Sequence, residues 1–157
     1  MAALTVIGVG NRLRGDDAVG PLLIDALATL PDLDLELVDA GSDVLGILEY
    51  FEGRKHVLVV DACCMGKESG TLVSFDPAQA ELILDKDPMS LHGLGLAEAL
   101  GMADSLQMLP GNLKIIGIEP DSIQFNSTLS PPVQRALKLA IEKVQAEVQQ
   151  LSVREEN

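Results

Sequence analysis

Tryptophan is absent from this 157-residue chain, which carries only one Tyr and three Phe. So few rings leave nothing to build a stacking platform for bases. Cations are also scarce, 11 Lys+Arg against 24 Asp+Glu for a net charge of −13, and the pI is near 4.3. A nucleic-acid binder needs clustered Lys and Arg to track phosphates, so that class is excluded. No apolar run is long enough to cross a bilayer. The apolar start, Met1–Gly10, lacks a basic n-region and a cleavage site, and reads as a first strand rather than a signal peptide. Only two cysteines occur, Cys63 and Cys64. Their adjacency suits neither a CxxC redox pair nor a tetrahedral zinc clamp. A cytoplasmic protein without structural disulfides is expected.

Several catalytic signatures are missing as well. Gly8-x-Gly10 has Leu13 where the dinucleotide fingerprint needs glycine. Gly10-x4-Gly15 runs into Asp16-Asp17, which would repel a phosphate, instead of the Lys-Ser/Thr of a P-loop. HExxH and GxSxG do not occur.

What is present is an ordinary globular composition, 47% hydrophobic and 22% charged, without repeats or linkers. One domain spanning residues 1–157 is expected, with 152–157 a frayed polar tail. Short apolar runs alternate with stretches of helical spacing. Strands are expected at Leu4–Gly8, Leu35–Val38, Val57–Val60, Thr71–Phe75 and Leu113–Ile118. Helices are expected at Ala18–Leu30, Val44–Phe51, Leu91–Met102 and Ser130–Leu151, the last started by Pro131 and Pro132. Alternation of this kind implies a mostly parallel sheet covered on both faces. The connection Asp61–Gly70 is too short for a comfortable helical crossover, so the fourth strand is expected to run antiparallel. In such sheets ligands sit beyond the carboxyl ends of the parallel strands.

Carboxylates gather at that edge. The first strand leads to Asp16 and Asp17, the second ends at Asp39 and the third at Asp61. Like charges brought together raise one another's pKa, a cost that a bound cation removes. An added imidazole shifts such a site towards zinc, nickel and similar ions. Of the two histidines, His56 precedes the third strand and falls at its wrong end, whereas His92 can reach the right one. Alternatives stand beside each residue. Asp16 or Asp17 can cap the helix that follows, Asp39 can form an Asx-turn, and a lone His is commonly structural. Asp61 is the strongest signal, because an Asp closing a buried strand needs a partner.

At these residues the sequence resembles the hydrogenase maturation proteases, endopeptidases that trim the large subunit of nickel–iron hydrogenases. The resemblance lies in Gly8-Val9-Gly10-Asn11-Arg12-Leu13-Arg14-Gly15-Asp16-Asp17-Ala18-Val19-Gly20, Asp39-Ala40-Gly41-Ser42, Val59-Val60-Asp61-Ala62, His92, Gly117-Ile118-Glu119-Pro120 and Leu129-Ser130-Pro131. It implies a three-layer α/β/α sandwich of about five strands, one of them antiparallel. It implies a metal trio at Asp17, Asp61 and His92, with Asp39 near the cleft and Gly41 in a segment that helps accept substrate. The substrate it implies is the nickel-loaded precursor of the large subunit, cut to remove a C-terminal extension. Nickel is then supplied by the precursor, and other divalent ions such as zinc can occupy the site in vitro. Metal-assisted hydrolysis is expected, with Asp39 or Asp16 as general base and a thiol at Cys63 or Cys64 as the competing nucleophile. A monomer without membrane insertion is expected. The alternatives are a non-catalytic nickel-dependent chaperone of the large subunit and an unrelated small α/β hydrolase.

Overall fold

A computed structural model describes residues 2–84 and 95–157. Five strands form one sheet: β1 (Leu4–Val9), β2 (Leu35–Gly41), β3 (His56–Ala62), β4 (Leu72–Phe75) and β5 (Asn112–Ile118). Their order across the sheet is β2-β1-β3-β5-β4. β1 pairs parallel with β2 and β3, and β3 pairs parallel with β5. β4 lies at the edge, antiparallel to β5, as the short connection after Asp61 requires.

All six residues of β1 are buried, because helices cover both faces of the sheet. One core layer holds Leu4, Val6, Leu58, Val60, Ile116 and Ile118 against helices α1 (Val19–Ala28) and α4 (Pro131–Glu155). The other holds Ile7, Val9, Val57, Val59, Leu113 and Ile115 against the 3-10 turn Leu45–Tyr50 and helix α3 (Leu96–Ser105). Alternate strand residues thus feed opposite layers, the period-2 rule applied to a sandwich.

A 3-10 turn, Gly15–Ala18, leads into α1. A short helix, α2 (Ala80–Ile83), follows the turn Pro77–Gln79 and was not expected. The expected helix at Leu91–Met102 starts outside the described residues; the described helix is α3 (Leu96–Ser105). Helix α4 spans Pro131–Glu155 and carries helical structure through most of the segment expected to fray. Its stripe Val133, Ala136, Ala140, Val144, Val148 and Leu151 is buried against the sheet and α1.

The strand order reverses between β1 and β3. The chain leaves β1 for β2 on one side and returns to β3 on the other, so the crevice beyond their carboxyl ends is the topological switch point.

Candidate functional site

Close glycine contacts build this crevice. A Cβ on Gly20 would lie 2.3 Å from the Val9 carbonyl oxygen and 2.8 Å from that of Val60. Only glycine lets the start of α1 rest directly on the ends of β1 and β3. Gly10 has φ +144°, and a Cβ there would lie 1.8 Å from the Asp17 carbonyl oxygen. The first loop is therefore folded tightly around Asp17, whose Oδ2 accepts the Asn11 N–H at 2.8 Å.

Asp17 is 1% exposed and Asp61 2%. Asp61 sits near the end of β3, opposite Gly117 of β5. The turn carrying Asp17 packs against β3, so the two carboxylates belong to neighbouring, parallel strand ends. Cys63 registers both. Burial pushes its thiol well above the usual range, and the negative charges of Asp61, Cys64, Glu119 and Asp17 push it further. A reactive thiol needs the opposite setting, partly exposed and electropositive. Cys63 is a packed core residue, and Cys64 is exposed.

The two adjacent aspartates divide their roles. Asp16 is fully buried, and both its oxygens are occupied. Oδ2 accepts the Asp121 N–H at 2.8 Å, the Ser122 N–H at 3.1 Å and the Ser130 hydroxyl at 2.7 Å. Oδ1 accepts the Ser130 N–H at 2.7 Å. This carboxylate ties the first loop to the loop after β5, and its four hydrogen bonds commit it to that structural role.

Asp39 lies at the end of β2, on the exposed rim. Its Oδ1 accepts the Gly41 N–H at 3.0 Å, an Asx-turn contact, and its Oδ2 accepts Arg12 Nε at 3.1 Å and Nη2 at 2.8 Å. Arg12 also grips Asp25 of α1 through both Nη atoms. Its hydrogen bonds to the carboxylates of Asp25 and Asp39 raise the guanidinium pKa further above its usual value.

Glu119 completes the framework, a residue the sequence reading left without a role. It is buried and accepts the N–H groups of Met65 at 3.0 Å and Lys67 at 2.6 Å. The loop after Asp61 is thus pinned to the end of β5. The signal was available: Glu119 closes an apolar strand as Asp61 does.

His56 lies at the amino end of β3, its Nδ1 2.9 Å from Asn112 Nδ2, away from the carboxylates. His92 lies outside the described residues. Among the described residues no three His, Cys, Asp or Glu side chains form a ligand cluster. Asp17 and Asp61 alone offer two oxygen donors in a buried setting, a donor type that suits a divalent cation and gains selectivity from an imidazole. A cavity of about 620 Å³ opens at the opposite edge of the sheet, lined by Arg54, Lys55, Met108 and Leu109 among others. It carries none of these acidic groups.

Comparison with known proteins finds relatives over most of the chain. The family model described as hydrogenase maturation protease matches residues 23–147. The hydrogenase 2 maturation protease of Escherichia coli (strain K12) is 29% identical over 154 residues, covering 96% of this chain and 93% of the relative. The hydrogenase 3 maturation protease of the same strain is 30% identical over 142 residues, covering 87% and 85%. The solved structure of the E. coli hydrogenase maturating endopeptidase HybD superposes with a TM-score of 0.76 at 30% identity, covering 94% of this chain and 92% of that one.

Proposed function

The chain belongs to the hydrogenase maturation protease family, and from this premise we propose how its own residues meet their substrate. It is an endopeptidase of hydrogenase maturation, and its substrate is the precursor of a hydrogenase large subunit, from which it removes a C-terminal extension. In our reading that precursor arrives with nickel already inserted, and the protease reads the ion. The observation that carries this is the burial of Asp17 and Asp61 together at the β1/β3 switch point.

Asp17 and Asp61 supply two oxygens and His92 a nitrogen. A set of two carboxylates and an imidazole attracts a divalent cation. Its affinity therefore rises when a cation arrives on the partner, which favours the loaded precursor over the unloaded one. An ion held there polarises a carbonyl or a water. Donors of these types also suit zinc. Asp16 is withdrawn as general base by its four hydrogen bonds. Asp39, at the solvent-reached rim, takes that role once Arg12 releases it.

We place the enzyme in the cytoplasm as a monomer. Among the described residues no helix is long and apolar enough to cross a membrane. Helix α4 buries its apolar stripe within the same chain, so no second copy is needed to cover it.

Incubation with nickel-loaded precursor tests the reading. A shift of the large subunit to a shorter form is expected. Binding without cleavage would select a chaperone role, and neither would select an unrelated hydrolase.

A further inference from the structure

Beside Asp17 the surface carries apolar side chains that the catalytic reading leaves unused. Leu13 is 63% exposed and Phe125 64%. They come from two loops locked to each other. The Asp16 N–H donates to the Ser122 carbonyl at 2.9 Å, and the Asn126 N–H donates to that of Leu13 at 2.9 Å. Gly15 has φ +55°, and a Cβ there would lie 2.5 Å from Ser127 Oγ and 2.7 Å from the Ser122 oxygen. The Ser127 hydroxyl in turn donates to the Gln124 carbonyl. The backbone holds both side chains outward in a fixed arrangement, which favours a surface prepared for a partner over a loose loop.

A cation completes the patch. The Arg14 guanidinium lies 4.9 Å above the centre of the Phe125 ring. Its Nε is buried and has no hydrogen-bond partner among the described residues. Arg12, two residues earlier, is committed to Asp25 and Asp39. Arg14 forms no ion pair among the described residues, in a chain of net charge −13. A guanidinium stacked on a ring keeps its in-plane Nη donors for a carboxylate.

We propose that Leu13, Arg14 and Phe125 form a lip that grips the precursor chain beside the cleaved bond, taking an apolar side chain on Leu13 and Phe125 and a carboxylate on Arg14. The choice of occupant follows from continuity with the site. The Arg14 carbonyl accepts the Asp17 N–H at 3.1 Å, so the lip and the buried carboxylate share one turn. A chain bound across the lip lies within one turn of Asp17. This inference rests on the endopeptidase reading, and its substrate is the same precursor.

The test is a titration of Arg14→Gln, Phe125→Ala and Leu13→Ser with nickel-loaded precursor, each variant first matched to wild type in its urea unfolding midpoint. Precursor binding is measured apart from cleavage. Weakening of about tenfold in Kd is expected for Arg14→Gln and for Phe125→Ala, as at other interface anchors. The loss falls on Kd and KM rather than on kcat, and Arg14→Lys recovers part of it. Wild-type Kd in all three variants overturns the proposal. So does a loss confined to kcat, or a change only in self-association of this chain. If wild type binds precursor without cutting it, the protease reading fails, while the Kd comparison still decides the lip. No binding by wild type overturns both.

Discussion

Ser130 donates both its backbone N–H and its hydroxyl to the carboxylate of Asp16, 114 residues away in sequence, each at 2.7 Å. The start of the longest helix is thereby tied to the turn that carries Asp17. Charge-assisted hydrogen bonds of this kind contribute about 1.5–3 kcal/mol each when one partner is removed. Asp16→Asn would turn one acceptor into a donor facing other donors. A loss of about 2–4 kcal/mol is expected, read as a lower urea midpoint. Precursor cleavage should fall with it, because Asp17 loses its frame.

The glycine contacts give a sharper backbone prediction. Gly20→Ala adds a methyl group 2.3 Å from the Val9 carbonyl oxygen, which belongs to the central sheet and cannot move aside. Overpacking of this severity costs about 3 kcal/mol or more. Gly53→Ala is the contrast. Its Cβ would meet nothing within 4 Å, and the cost comes from φ +72° alone, about 1 kcal/mol. Thermal melts of the two variants should separate them clearly.

The strands were legible because their coverage on both faces is written as unbroken apolar runs, β3 above all. The antiparallel edge followed from the length of one connection. Strand ends were harder to place. β2 runs on to Gly41 because Asp39 and Gly41 pair with Gly8 and Val9 of β1, a partner its own pattern does not name. The short turn and helix from Pro77 to Ile83 escaped notice because their contacts, not their periodicity, define them. At the site, the residue pattern found the acidic edge but did not separate Asp16 from Asp17; only the family resemblance assigned the metal role to Asp17. Their division depends on Asp121, Ser122 and Ser130, residues brought near only by folding.

Glu36 gives a pH-dependent effect away from the site. Hydrogen bonds from Arg54 hold its pKa at about 2, below the ordinary 4.5, and the Thr5 hydroxyl adds to this. A group depressed by folding contributes stability above its unfolded pKa and loses it as pH falls through the folded value. The contribution should therefore be complete above about pH 4.5 and fade towards about pH 2. The pair is partly solvated, so about 1 kcal/mol or less is expected. Comparing wild type with Glu36→Gln in urea at pH 5.5 and pH 2.5 checks it; the difference in stability should shrink at the lower pH.

Cys63 stands next to the site, yet its surroundings oppose thiolate chemistry. Burial comes first, and the charge of Asp61 second, in keeping the Cys63 thiol protonated. The double variant Cys63→Ser, Cys64→Ser should fold and cleave precursor within about threefold of wild type, allowing a modest packing cost at Cys63. Complete loss of cleavage with a wild-type melt would instead assign the nucleophile to sulfur.

Metal reading makes the strictest demand. If Asp17, Asp61 and His92 hold the precursor's ion, removing any one should lower cleavage by about 100-fold or more, beyond the usual effect of residues that merely orient ligands. Asp61→Asn and His92→Ala are the informative changes. Asp61→Asn keeps the shape of a buried side chain while removing its charge, so a small stability change with a large activity change separates ligation from packing. The same variants should lose their preference for nickel-loaded over nickel-free precursor, measured as a ratio of binding constants. A preference that survives both substitutions would mean that neither Asp61 nor His92 reads the ion, and that buried Asp61 serves the fold alone.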